Sequence, residues 1–163
     1  MSGAHDFVLG LHPVSQGFGW ALFDGPDSLF DWGTADIRKG DNVRALLRAA
    51  QLFDKYRPPL LILEEFDGTQ SRRQPRLRLL CRAVVARAEL RNMRVHRYAR
   101  EEIAAALFPA RTRYEIALAV AARLEHLQLH VPKKRKVWER ERLAMSVFCA
   151  AACVLSYYAA RSA

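Results

Sequence analysis

The sequence predicts an α/β fold: a mixed five-stranded sheet, three antiparallel strands followed by two parallel ones, flanked by helices. Three observations predict it. Residues 7–37 hold three short apolar or alternating runs separated by turn residues. Leu60–Leu63 is an uninterrupted apolar run between two helical patterns, as expected for a parallel strand buried on both faces. Beyond it helical periodicity dominates, interrupted by one further short strand. With 163 residues, 51% of them apolar, the chain reads as one domain, 1–163, able to bury a core without staples.

The elements follow in order. Phe7-Val8-Leu9-Gly10-Leu11 reads as a buried strand that Pro13 ends. Gly17 to Phe23 is the second strand, closed by the turn Asp24-Gly25-Pro26, and Ser28 to Ile37 is the third. Asp41 or Asn42 caps a helix to about Tyr56, with Val43, Leu46, Leu47, Ala50 and Phe53 at helical spacing and Arg57-Pro58-Pro59 as its stop. Leu60–Leu63 then delivers Glu64 and Glu65 at its C-terminal end. A helix from Arg76 to about Arg91, a strand Met93–Tyr98 and helices Glu101–Leu107 and Tyr114–Leu127 come next. Val131–Trp138 is a basic loop, and a last helix runs from about Glu139 to Ala160. Leu143–Ala160 is 18 residues without a charge, which meets the length of a membrane span. Its wealth of Ala, Ser and Cys suits a buried helix lying on a sheet better, so no membrane partner is expected. The opening residues lack the pattern of a signal peptide, and Cys81, Cys149 and Cys153 form no CxxC pair. They read as small buried hydrophobes of a cytoplasmic protein, with no zinc site.

Charge is distributed unevenly. Residues 1–67 hold 6 Lys/Arg and 10 Asp/Glu, whereas residues 68–163 hold 20 and 7. An excess of that size on one part of the chain points to a polyanion. The 21 Arg outnumber the 5 Lys, and a guanidinium forks onto phosphate and stacks on bases. Residues 72–100 carry ten Arg (72, 73, 76, 78, 82, 87, 91, 94, 97 and 100) against one acid, Glu89. A solvated helix face would normally mix both signs. The candidate nucleic-acid contacts are Arg72, Arg73, Arg76, Arg78 and Arg113, with Lys133, Lys134, Arg135 and Lys136 from the basic loop.

Several segments resemble the RuvC-type Holliday junction resolvases of the ribonuclease-H-like superfamily. Leu9-Gly10-Leu11-His12-Pro13 followed by Gly17-Phe18-Gly19-Trp20 resembles their opening strand and hairpin. Leu61-Ile62-Leu63-Glu64-Glu65 resembles the strand that ends in a metal-binding Glu, and Val95 to Ile103 resembles the final strand and the turn after it. Arg113-Tyr114-Glu115-Ile116-Ala117 resembles the segment in which a basic residue opens the penultimate helix, and Ala150-Ala151-Ala152 lies in a likeness of the terminal helix. The likeness spans almost the whole chain in the right order. It implies a ribonuclease-H-like fold, branched or duplex DNA as partner (RNA being the alternative), a homodimer, and Mg²⁺ or Mn²⁺ as cofactor if the protein cuts.

The same resemblance exposes departures. Nucleases of this fold use carboxylates to hold two Mg²⁺ ions across the scissile phosphate, because a hard cation wants oxygen ligands. Here His12 stands where the family has its first-strand Asp, and imidazole binds Mg²⁺ poorly. Glu64 falls on the family's Glu. The terminal helix allows two alignments. One puts Glu141 on a family Asp, with Glu139 nearby; the other puts Cys149-Ala150-Ala151 there, and that ligand is lost. The candidate catalytic residues are thus Glu64, Glu141 and His12, and the candidate metal ligands Glu64, Glu141 and Glu139. Three functions stay open: an endonuclease for four-way junctions, a DNA-binding pseudo-nuclease, and a ribosomal-RNA-processing nuclease of the same fold.

Overall fold

The computed structural model describes residues 6–38, 40–67, 74–107, 109–134 and 143–162. Five strands form one sheet: β1 (Val8–Val14), β2 (Gly17–Gly25), β3 (Ser28–Asp36), β4 (Leu60–Glu64) and β5 (Arg94–Tyr98). Their spatial order is β3-β2-β1-β4-β5. The first three are antiparallel neighbours, and β1–β4 and β4–β5 are parallel. This is the mixed sheet that the sequence predicts.

Two helices, α1 (Asn42–Tyr56) and α2 (Pro75–Leu90), cover one face, packing on Leu9, Leu11, Phe18, Leu22, Leu61 and Leu63. The other face, with Val8, Ala21, Phe23, Leu60 and Ile62, is covered by α3 (Arg100–Ala106), α4 (Arg113–Arg123) and α5 (Leu143–Ser162). Strand alternation sends successive residues to the two cores, so a continuously apolar strand such as β4 is required.

The Asp41 side chain caps α1 by accepting from Arg44 N at 3.0 Å. α1 and α2 run parallel, tied at both ends. At their starts the Asn42 amide donates to Arg76 O (3.2 Å) while Arg76 Nη1 donates to Asn42 Oδ1 (3.0 Å). At their ends Arg91 forks onto Asp54 with bonds of 2.8 and 3.2 Å. The Tyr56 hydroxyl donates to Asp31, joining the last turn of α1 to β3; burial, then the Asp31 charge, pushes the phenol up to about 12.

Two local expectations need correction. Pro13 does not end β1, which continues to Val14 with Pro13 opposite Phe18 of β2. Pairing with β4 stops at Gly10, so Pro13 lies beyond that ladder, where a residue without N–H forfeits no bond to β4. The helix expected over Tyr114–Leu127 stops at Arg123. Leu124 leaves helical geometry (φ −118°, ψ 93°), and a 3₁₀ turn follows over Glu125–His130. That turn buries Leu127 beside Leu124 and sets His130 against Trp32 of β3, with ring centroids 4.6 Å apart.

Helix α5 is long and apolar enough to cross a membrane, yet 72% of its most apolar window is buried inside the protein, as expected of a helix lying on the sheet. Two glycines let it lie there. A Cβ on Gly10 would strike the Ala150 carbonyl, and one on Gly19 would strike Ser146 and the Val147 backbone. Gly10→Ala should therefore destabilise by about 1–3 kcal/mol, the usual cost of overpacking, measured by denaturant unfolding. Unfolding unchanged from wild type would show that α5 can ride up on the sheet freely.

Candidate functional site

Parallel neighbours β1 and β4 point their C-terminal ends the same way. Gly10 pairs with Ile62, and two residues further on come His12 and Glu64, on the face that carries α5. His12 is buried. Glu64 keeps 12% of its side chain exposed and opens into a pocket lined also by Arg100, Ile103, Arg113, Ile116, Cys149 and Ala152.

Arg113 enters this pocket because α4 starts where it does. Thr112 accepts from Glu115 N at 3.1 Å, while Glu115 Oε1 accepts from Thr112 N (3.0 Å) and Arg111 N (3.1 Å). This is a capping box, readable in the sequence as Thr112-Arg113-Tyr114-Glu115. The backbone N–H groups of Thr112 and Arg111 hold the Glu115 carboxyl below its ordinary range. The box makes Arg113 the first residue of α4. Its guanidinium reaches back across the sheet end: Nη1 donates to Cys149 Sγ at 3.1 Å, and Nη2 lies 3.5 Å from Glu64 Oε2. A fixed cation thus joins the carboxylate of β4 to the thiol of α5. Sequence reasoning named Arg113 as a phosphate contact and missed this pairing, though the capping box was the signal that fixes its place.

Of the expected site residues, Glu64, His12 and Arg113 come together at this end of the sheet. So does Cys149, from the second of the two terminal-helix alignments. Glu139 and Glu141 lie outside the described residues, as do Arg72, Arg73, Arg135 and Lys136. Lys133 and Lys134 are exposed. Arg76 packs against the start of α1, where its Nη2 is buried with no hydrogen-bond partner among the described residues, and the adjoining pocket is lined by Ser15, Arg38, Asp41 and Asn42 among others. Several arginines of the 72–100 run meet acids from elsewhere in the chain. Arg82 pairs with Asp67 at 2.8 Å, and Arg97 lies 3.7 Å from Glu65 and 3.6 Å from Asp67, with its guanidinium over the Phe66 ring.

No protein-family model and no curated protein matches the chain by sequence. Solved structures do match by shape. The chain is similar to Thermus thermophilus RuvC in complex with a Holliday junction substrate, with a TM-score of 0.69 over 96% of each chain at 17% identity. It is similar to the yeast mitochondrial Holliday junction resolvase Ydc2, with a TM-score of 0.59 over 95% of this chain and 80% of that one at 14% identity. The fowlpox virus resolvase, solved with Holliday junction DNA, gives 0.58 over 92% and 97% at 15% identity. The chain has the resolvase fold.

Within the resolvase fold, the described residues at this end of the sheet do not by themselves suit the pair of Mg²⁺ ions that the family resemblance implies. Among the described residues no three His, Cys, Asp or Glu side chains gather closely enough to hold a metal. The donors that line up are one carboxylate, one imidazole and one thiol, and Mg²⁺ prefers hard oxygens to the last two. A guanidinium already stands beside the carboxylate. With Arg113 replaced by Leu, Glu64 keeps a mostly buried charge and loses that cation. Arg113→Leu should cost about 1–3 kcal/mol of unfolding free energy, and Glu64→Gln in the same chain should recover most of it. Strictly additive costs in this double-mutant cycle would show that the two groups are not coupled.

Proposed function

We propose that this protein binds branched DNA at the Glu64 end of the sheet and does not cut it. The observation that carries the reading is the Glu64–Arg113–Cys149 bridge. A two-metal nuclease concentrates negative charge at this point to hold cations. Here the chain supplies the cation itself. A guanidinium presents its donors in a rigid fork, and here that fork joins Glu64 to Cys149 at the point where such a nuclease would gather cations.

The surroundings support an anionic ligand. The buried Nη2 of Arg76, without a hydrogen-bond partner among the described residues, sits near the β1–β2 turn, Arg100 opens α3, and Arg111 precedes α4. Lys133 and Lys134 lead towards the rest of the basic loop. The RuvC and fowlpox proteins of the same fold are each solved with Holliday junction DNA. In this reading the protein acts as a homodimer, offering two such ends to the symmetric arms of a four-way junction. It recognises the backbone and shape of the junction, so affinity falls steeply with salt.

Labelled four-way junction, linear duplex and hairpin RNA in one gel-shift series, with EDTA, Mg²⁺ or Mn²⁺, test this reading. The junction should shift at a concentration at least about tenfold below that for linear duplex, with every strand intact in both metals. Symmetric nicks in the junction would overturn the non-cutting reading, and preference for the RNA would overturn the substrate. Restoring oxygen ligands gives a complementary measurement. His12→Asp combined with Cys149→Asp should bring Mg²⁺-dependent nicking that neither single change brings, provided the variant's circular dichroism matches wild type.

A further inference from the structure

The run of arginines that reads as one patch in sequence is divided by the fold, as its described members show. α2 is a straight path of about 22 Å from Arg76 to Arg91. Arg76, Arg97 and Arg100 belong to the Glu64 end of the sheet, whereas Arg87, Arg91 and Arg94 belong to the opposite end. There they meet the end of α1. Arg91 binds Asp54, Arg94 N donates to Pro59 O at 2.9 Å, and Arg91 Nη1 donates to Arg87 O at 3.1 Å. The two joined segments, residues 53–59 and 86–94, carry Lys55, Arg57, Arg87, Arg91 and Arg94 against Asp54 and Glu89. Since Asp54 is engaged by Arg91, four exposed cations face one remaining acid.

Arg57 adds an independent observation. It follows the last residue of α1 with φ 48° and ψ 51°, the left-handed conformation. Glycine is the residue that suits this position, and a side chain there costs about 1 kcal/mol. Among the described residues the other two non-glycines with positive φ are Asp27 and Asn92, types whose short side chains tolerate it. Arginine has no such excuse. Stability alone favours glycine here, whereas Arg57 places an exposed charge at this corner, close enough to act on Asp54.

We propose that this end of the sheet, remote from Glu64, is a second binding site for the phosphate backbone of duplex DNA, formed by Lys55, Arg57, Arg87 and Arg94. It shares a partner with the preceding reading but no residue. With both ends occupied, one protein molecule holds two duplex segments at opposite ends of the sheet.

The test is capture of a labelled linear duplex, by the full chain, onto beads carrying a second duplex, with melting temperature and junction gel shift measured on the same samples. Wild type should bridge the two duplexes. Arg57→Gly should melt higher than wild type and yet bridge less. Arg57→Gly combined with Arg87→Gln and Arg94→Gln should reduce capture at least about tenfold at moderate salt while leaving the junction shift within about twofold. Three results would overturn the proposal: no bridging by wild type, bridging by the triple variant equal to wild type (which would place the second duplex on another copy's Glu64 end), or loss of the junction shift in parallel with capture. Better capture of hairpin RNA than of duplex would overturn the choice of DNA. Failure of the preceding reading is separate, because it would appear as no junction preference or as nicking in the wild type itself.

Discussion

Helix α5 lies against β1 and β2 with no strand side chain in between at two points, because Gly10 and Gly19 have none to interpose. The rest of the site depends on this contact. The helix contributes its small residues Ala150, Ala151 and Ala152 to the interface, all fully or almost fully buried. Ser146, which would otherwise be a buried orphan, donates to the Leu143 carbonyl at 2.5 Å. At this depth, Cys149 reaches the end of the sheet where Glu64 emerges. A thicker interface would lift α5 away and take Cys149 out of reach of Arg113.

A second constraint is electrostatic. A carboxylate with only 12% of its side chain exposed must be compensated, and there are two ways to do so at the end of a parallel strand. One is to recruit a metal with further carboxylates. The other is to bring in a guanidinium. Here α4 does the latter, and the geometry follows from the capping box, which fixes the helix start and so the one position from which Arg113 reaches both Glu64 and Cys149. Because the cation is covalently part of the chain, Glu64 has a positive charge 3.5 Å away that does not depend on a bound ion. The same logic runs along the neighbouring surface, where Glu65 and Asp67 at the exit of β4 meet Arg97 and Arg82. These arginines are committed to holding the strand exit in place, which separates them from the arginines that remain open to a ligand.

The sequence by itself determined the order and type of the elements. Apolar spacing is set by near neighbours, so Leu60–Leu63 reads as a buried strand, the capped segment before it as a helix, and the uncharged stretch after Leu143 as a helix in the core. It also placed Glu64 at the C-terminal end of a central strand, because that position is one residue past an apolar run. What only the tertiary structure decided involves residues far apart in the chain. Arg113 stands 49 residues from Glu64 and 36 from Cys149, and no local pattern states that they meet. Whether Pro13 could stay in a strand depended on where β4 stopped pairing with β1. Whether the described arginines of the 76–100 run made one surface or two depended on the length and direction of α2 and on its parallel packing against α1. Periodicity is written in consecutive residues, whereas the meeting of side chains is fixed by how elements cross, and that crossing is settled by packing over the whole core.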